Sequence, residues 1–201
     1  MFSGPYSIAA SSGRDLEEFA RELGVELEPI ARLVGLDVGI FQKIHERISL
    51  NAFTRLLDIL KSATSDDCIG IRYGERYRIG NSGPFGFALL HAPTFRDALS
   101  IYRDYQQLIA DFAFFDVDIG DKESSIEWRY ASIIDHPEQY VDMRARLACR
   151  FLQKYMGDKW FPGEVKLVRE APRSVALHRK LLGPSVVFGS VMNCITFTSA
   201  F

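Results

Sequence analysis

The chain has 201 residues, 47% of them hydrophobic and 25% charged, enough for one domain with its own core and too apolar for a disordered segment. A net charge of −2 leaves it without the basic excess by which a DNA-gripping domain neutralises phosphates, unless a local patch hides in the total. No run approaches the roughly 18 apolar residues of a membrane span, and the N-terminus lacks the basic and apolar regions of a secretory signal. The three cysteines, Cys68, Cys149 and Cys194, are far apart and form no CxxC. They fit reduced thiols in a cytoplasmic protein.

Residues 1–12 are small and polar and are expected to be a flexible N-terminus, with the folded domain spanning 13–201. Leu16, Phe19, Ala20 and Leu23 recur at helical spacing, which predicts a helix over 12–24 that Gly24 stops. A short helix over 26–34 ends at Gly35. Ser49 suits the N-cap of a helix over 50–63, whose Leu50, Phe53, Leu56, Leu57 and Leu60 make one stripe. The segment DDCIGIRY (66–73) reads as a helix with an acidic start or, by its two-residue alternation, as a strand. Pro84 fits the first turn of a helix running to His91. Pro93 then breaks the chain, and Thr94 with Asp97 forms a capping box for a helix to about Ile109.

The period changes next. Ala113, Phe115, Val117 and Ile119 alternate with Phe114, Asp116 and Asp118; after a turn at 120–122, Ile126, Trp128 and Tyr130 alternate with Glu127 and Arg129. That predicts a β-hairpin with one buried face. A long helix follows over 137–155, with Val141, Ala145, Ala148, Leu152 and Tyr155 on one stripe. A strand over 163–169, a helix over 174–182 and short strands over 186–188 and 193–197 close the chain. The order predicts a single α+β domain in which N-terminal helices precede a mainly antiparallel sheet packed with helices.

No catalytic signature is present. The segment Gly83–Gly86 lacks the Lys-Ser/Thr of a phosphate loop, and no GxSxG occurs. The four histidines, His45, His91, His136 and His178, form no ligand pair, so neither metal nor cofactor is expected. Cys149 lies beside the stripe of its helix and reads as a buried inert thiol. The aromatics Phe85, Phe87, Tyr102, Tyr105, Phe112, Phe114, Trp128 and Tyr130 fall in one 46-residue stretch. They form either a core with hairpin packing or a ligand pocket between the hairpin and its helices. Arg144 lies beside the inward stripe of the long helix. It is either a rim cation paired with Asp142, Glu138 or a hairpin acid, or a pocket cation for an acidic effector. Arg146 and Arg150 are expected to face solvent.

Several segments resemble one family in order. They are Gly35–Asp37 with Arg47–Leu60 (RISLNAFTRLLDIL), Asp67–Gly74, and GPFGFALLHAPTFRDAL (83–99) with Tyr102 and Tyr105. Toward the end come Phe161–Val165, Ala171-Pro172, Leu182-Gly183, Val187–Gly189 and Asn193–Phe197. The central segment is the most specific. Together they resemble the arabinose-binding-type N-terminal domain of AraC-family transcription regulators. The resemblance implies a small-molecule-sensing, dimerising regulatory domain and no enzyme. It implies neither arabinose as the ligand nor any particular ligand residues, because the shared motifs are glycines, caps and apolar positions. In the family a C-terminal helix-turn-helix domain follows; it is absent from this chain, so DNA is expected as a partner only through it. A stand-alone small-molecule binding protein, or an enzyme with a composite site, is the alternative. The expected partners are an effector, taken as an apolar or amphipathic acid, and a second copy of the chain, with no membrane.

Overall fold

The computed structural model describes residues 6–198. Its first element is a strand, β1 (Ser7–Ala9), which a 3-10 turn over Ala10–Gly13 follows. Ile8 and Ala10 have no exposed surface. The expectation of a flexible stretch over 1–12 therefore fails from Ser7 onward, and residues 1–5 lie outside the described residues. The cause is distant pairing. β1 runs antiparallel to β2 (Arg47–Ser49), and Arg47 fastens it: Nε donates to the Ser7 hydroxyl at 2.7 Å and Nη2 to Asp111 Oδ1 at 3.3 Å.

The helices start where their caps are. After α1 (Leu16–Glu22) and α2 (Leu27–Leu33), Gly24 and Gly35 take positive φ of 76° and 74° and turn the chain out of each helix. Ser49 Oγ accepts the Ala52 N–H at 3.2 Å and opens α3 (Leu50–Thr64), whose apolar stripe is buried as expected. DDCIGIRY resolves as helix and not strand. Asp66 accepts the Cys68 N–H at 2.9 Å, and α4 (Ile69–Arg76) follows. α5 (Gly83–His91) carries Pro84 in its first turn. Thr94 Oγ1 accepts the Asp97 N–H at 3.1 Å and donates to its carboxylate at 2.7 Å, opening α6 (Phe95–Tyr105). α6 stops short of Ile109, because a 3-10 turn over Gln106–Leu108 tightens its end.

The hairpin pairs β3 (Phe114–Ile119) with β4 (Glu123–Arg129), with Phe115 opposite Trp128 and Val117 opposite Ile126. Then come α7 (Glu138–Met156), β5 (Glu164–Lys166), α8 (Ala176–Leu182), β6 (Val186–Val187) and β7 (Asn193–Thr198). The larger sheet has the order β3-β4-β7-β5-β6, antiparallel except for the β5–β6 pair. The result is one α+β domain with a mainly antiparallel sheet.

α7 is the axis of the helical half and is buried along most of its circumference. α4 lies against it closely enough that a Cβ on Gly70 would sit 1.8 Å from the Gln139 carbonyl oxygen, and one on Gly74 2.8 Å from that of Met143. This burial corrects the reading of Arg146 and Arg150 as solvent-facing. Arg146 donates to Glu75 Oε2 at 2.6 Å, Gln153 Oε1 at 3.0 Å and the Leu181 carbonyl at 2.8 Å. Arg150 donates to the carbonyls of Gly74 and Tyr77. Both arginines satisfy polar groups where helices meet, which a view of α7 alone as half-wet does not anticipate.

Candidate functional site

Arg144 projects from α7 toward α6 and the start of the hairpin, and only 7% of it is exposed. Its Nη2 donates to the Tyr102 hydroxyl at 3.1 Å, and its guanidinium carbon lies 5.5 Å from the centre of the Phe112 ring. None of the acids weighed from sequence pairs with it. Among the described residues, no carboxylate lies within ion-pair distance of Arg144. Asp142 points elsewhere, to Arg169 and His178.

Four phenols surround this cation: Tyr77, Tyr102, Tyr130 and Tyr140. Burial pushes the Tyr77 and Tyr140 hydroxyls up from an ordinary 10 to about 12, and Tyr130 well above its ordinary value. At neutral pH all three are uncharged hydroxyls and supply no countercharge. The Tyr130 and Tyr140 hydroxyls lie near each other without a hydrogen bond of ordinary geometry, and both are buried without a partner. Such orphan groups are rare enough in folded proteins to ask what would satisfy them. The ring system is continuous: Tyr102 stacks on Phe151 at 5.3 Å and meets Phe115 at a tilt at 5.5 Å, Phe115 meets Phe112 at 5.2 Å, Phe112 stacks on Tyr130 at 5.1 Å, and Tyr130 meets Tyr140 at 5.3 Å.

A small cavity of about 30 Å³ touches Arg144, Tyr102, Tyr77, Phe85, Leu89 and Phe151. A larger one, about 300 Å³, lies outside it and is lined mainly by Ile44, Pro84, Leu108 and Ile109, with His45, Glu46 and Arg47 also bordering it. The two cavities share Ser82 and Phe85.

Of the residues singled out from sequence, Phe85, Tyr102, Phe112, Tyr130 and Arg144 come together here. Phe87 is 63% exposed, its ring stacked on His91 at 4.0 Å. Tyr105 and Phe114 are also exposed. Trp128 is buried in the sheet with its indole N–H unpartnered, and no ring contact among the described residues ties it to Arg144. Tyr77 and Tyr140 were missed. Tyr140 carried a signal, since it stands four residues before Arg144 and shares its face of α7; Tyr77, just past the end of α4, carried none.

A second polar cluster is wholly internal. Asp142 and His178 have no exposed surface and Arg169 is nearly buried. Asp142 Oδ2 accepts from Arg169 Nη1 and from His178 Nε2, the latter at 2.8 Å. Cys149 is buried and its thiol is pushed up by desolvation to about 12, an inert group as expected. Among the described residues, no group of three or more His, Cys, Asp or Glu side chains is placed to hold a metal ion, and no helix is long and apolar enough to cross a membrane.

This α+β chain matches a family of regulatory domains. The model of the family described as the arabinose-binding domain of AraC transcription regulators, N-terminal, covers residues 24–201. The chain belongs to that family, which makes it a regulatory sensing domain. Its fold is similar to the crystal structure of the transcriptional regulator CdpR from Pseudomonas aeruginosa, with a TM-score of 0.54 at 17% identity over 71% of this chain. The chain covers 48% of that regulator, about half its length. No curated protein matches the chain by sequence.

Proposed function

We propose that this chain is the small-molecule-sensing and dimerising domain of a cytoplasmic AraC-type regulator, and that its effector is an acid held beside Arg144. The observation that carries the reading is the buried guanidinium without a countercharge. Enclosing an ion of this kind is unfavourable unless something offsets it. A carboxylate of a bound effector would supply that charge bidentately, with the neutral Tyr102, Tyr130 and Tyr140 hydroxyls as further donors. Apolar walls with a few convergent polar groups are the usual make-up of a ligand pocket. The domain acts as a binder and not as an enzyme.

Arg144 stands on α7, which packs against α4 and α3. An effector that favours one arrangement of these elements would change how the domain holds an attached DNA-binding domain. The test uses the full-length regulator with a reporter gene. Arg144→Met should abolish the response to effector, while the melting temperature stays at or above that of the parent because an unpaired buried charge has gone. A variant that folds and still responds would sink the placement.

A further inference from the structure

The cavity beside Arg144, about 30 Å³, has room for one water and not for an effector. What lies next to it is larger. The outer cavity of about 300 Å³ meets it at Ser82 and Phe85, so one side chain and one turn separate a buried cation from an open apolar trough. Phe85 sits in the first turn of α5, which opens on the positive-φ Gly83 (62°). Its ring reaches Tyr102, with centroids 6.0 Å apart, and Tyr102 is the residue that accepts from Arg144. A turn of the Phe85 ring would therefore join the two cavities and uncover the guanidinium in one motion.

We propose, building on the acid-sensing reading above, that the two cavities form one elongated site for an unbranched amphipathic monocarboxylate. Its carboxylate pairs with Arg144. Its hydrocarbon tail passes Phe85 and lies on Pro84, Ile44 and Leu108. Three observations select this class. Among the described residues Arg144 is the one Lys or Arg bordering the inner cavity, and Arg47 on the outer one is already paired with Asp111, so one negative charge is matched and a second is not. Leu89, Leu147 and Phe151 leave that cavity apolar beyond the Tyr77, Tyr102 and Ser82 hydroxyls, which disfavours a polyol or an amino acid carrying a further charge. The outer cavity continues apolar from the far side of Phe85, which gives a tail of several methylenes somewhere to be buried. Binding in this mode displaces Phe85 and with it α5.

The test is isothermal titration of the 201-residue chain with sodium butyrate, sodium octanoate and 1-octanol, all below micellar concentration. Octanoate should bind about tenfold or more tightly than butyrate, since each buried methylene adds to affinity, and octanol should not bind. Leu108→Asp, at a half-exposed position of the outer cavity, should weaken octanoate about tenfold and leave butyrate unchanged. Equal binding of both acids with no effect of Leu108→Asp overturns the elongated site and leaves the acid reading standing. If neither acid binds, or if Arg144→Met binds both as the parent does, the acid reading falls and the elongated site with it.

Discussion

Tyr140 carries a phenol with no hydrogen-bond partner among the described residues, one helical turn before the cation it helps enclose. Removing a buried hydroxyl that has no partner relieves its desolvation penalty, so Tyr140→Phe should stabilise the free domain by about 1 kcal/mol in urea denaturation at neutral pH. A loss of stability would mean that the hydroxyl is bonded after all. The same phenols set the behaviour in alkali. Tyr77 and Tyr140 titrate near 10 when unfolded and at about 12 when folded, chiefly because burial opposes the phenolate. Below pH 10 both states hold these protons and stability is unaffected. Between pH 10 and 12 the unfolded chain releases them first, so stability falls as pH rises. The double variant Tyr77→Phe, Tyr140→Phe should flatten that decline, as followed by circular dichroism.

At the scale of single elements, the contact between α4 and α7 is set by two glycines one turn apart. Gly70 has no room for a methyl group against the Gln139 carbonyl, and its N–H donates to the Gln139 side chain at 2.8 Å. Gly70→Ala must push the helices apart and break that bond, so the loss should be about 3 kcal/mol or more. Gly24→Ala should cost less: its Cβ meets nothing within 4 Å, and the penalty comes from a φ of 76° alone. Comparable losses at the two sites would count against the close approach. Elements with local signals were legible in the sequence. Ser49 and Thr94 announce their helices by side-chain chemistry within three residues, and the alternation of Val117, Ile126 and Trp128 fixes the buried hairpin face. β1 was not legible, because Ser7–Ala9 owes its conformation to Arg47 and Asp111. The clustering around Arg144, where the effector is proposed to bind, was legible in part. Phe85, Tyr102, Phe112, Tyr130 and Arg144 were found by crowding and helix phase, whereas Phe87, Tyr105 and Phe114 belonged to the same crowd and point outward. Nothing local separates the two groups.

On the scale of the whole molecule, the Asp142–Arg169–His178 cluster ties the central helix to α8 and to the chain leaving β5, and so joins the helical half to the sheet half. No composition or spacing betrays it, since the three residues come from separate elements. Asp142→Ala leaves the Arg169 charge enclosed without its partner and should destabilise the domain by about 3–5 kcal/mol. The double change Asp142→Leu, Arg169→Met removes both charges and should recover much of that loss. Urea denaturation of the three proteins decides it, and a double variant as unstable as Asp142→Ala would show that the cluster acts by shape and not by charge.

The molecule also carries its own optical probe. It has two tryptophans. Trp160 is partly exposed, and its ring meets Phe197 edge-on at 6.2 Å. Trp128 is almost fully enclosed, with an indole N–H that has no partner among the described residues. It pairs across the hairpin with Phe115, whose ring leans on Tyr102, which in turn bonds Arg144. A dry indole emits at short wavelength and responds to small shifts in the dipoles around it. Any rearrangement at Tyr102 therefore has a path of one ring contact and one cross-strand pair to a chromophore, so emission can be watched without a dye. Replacing Trp160 with Phe would leave Trp128 as the sole emitter.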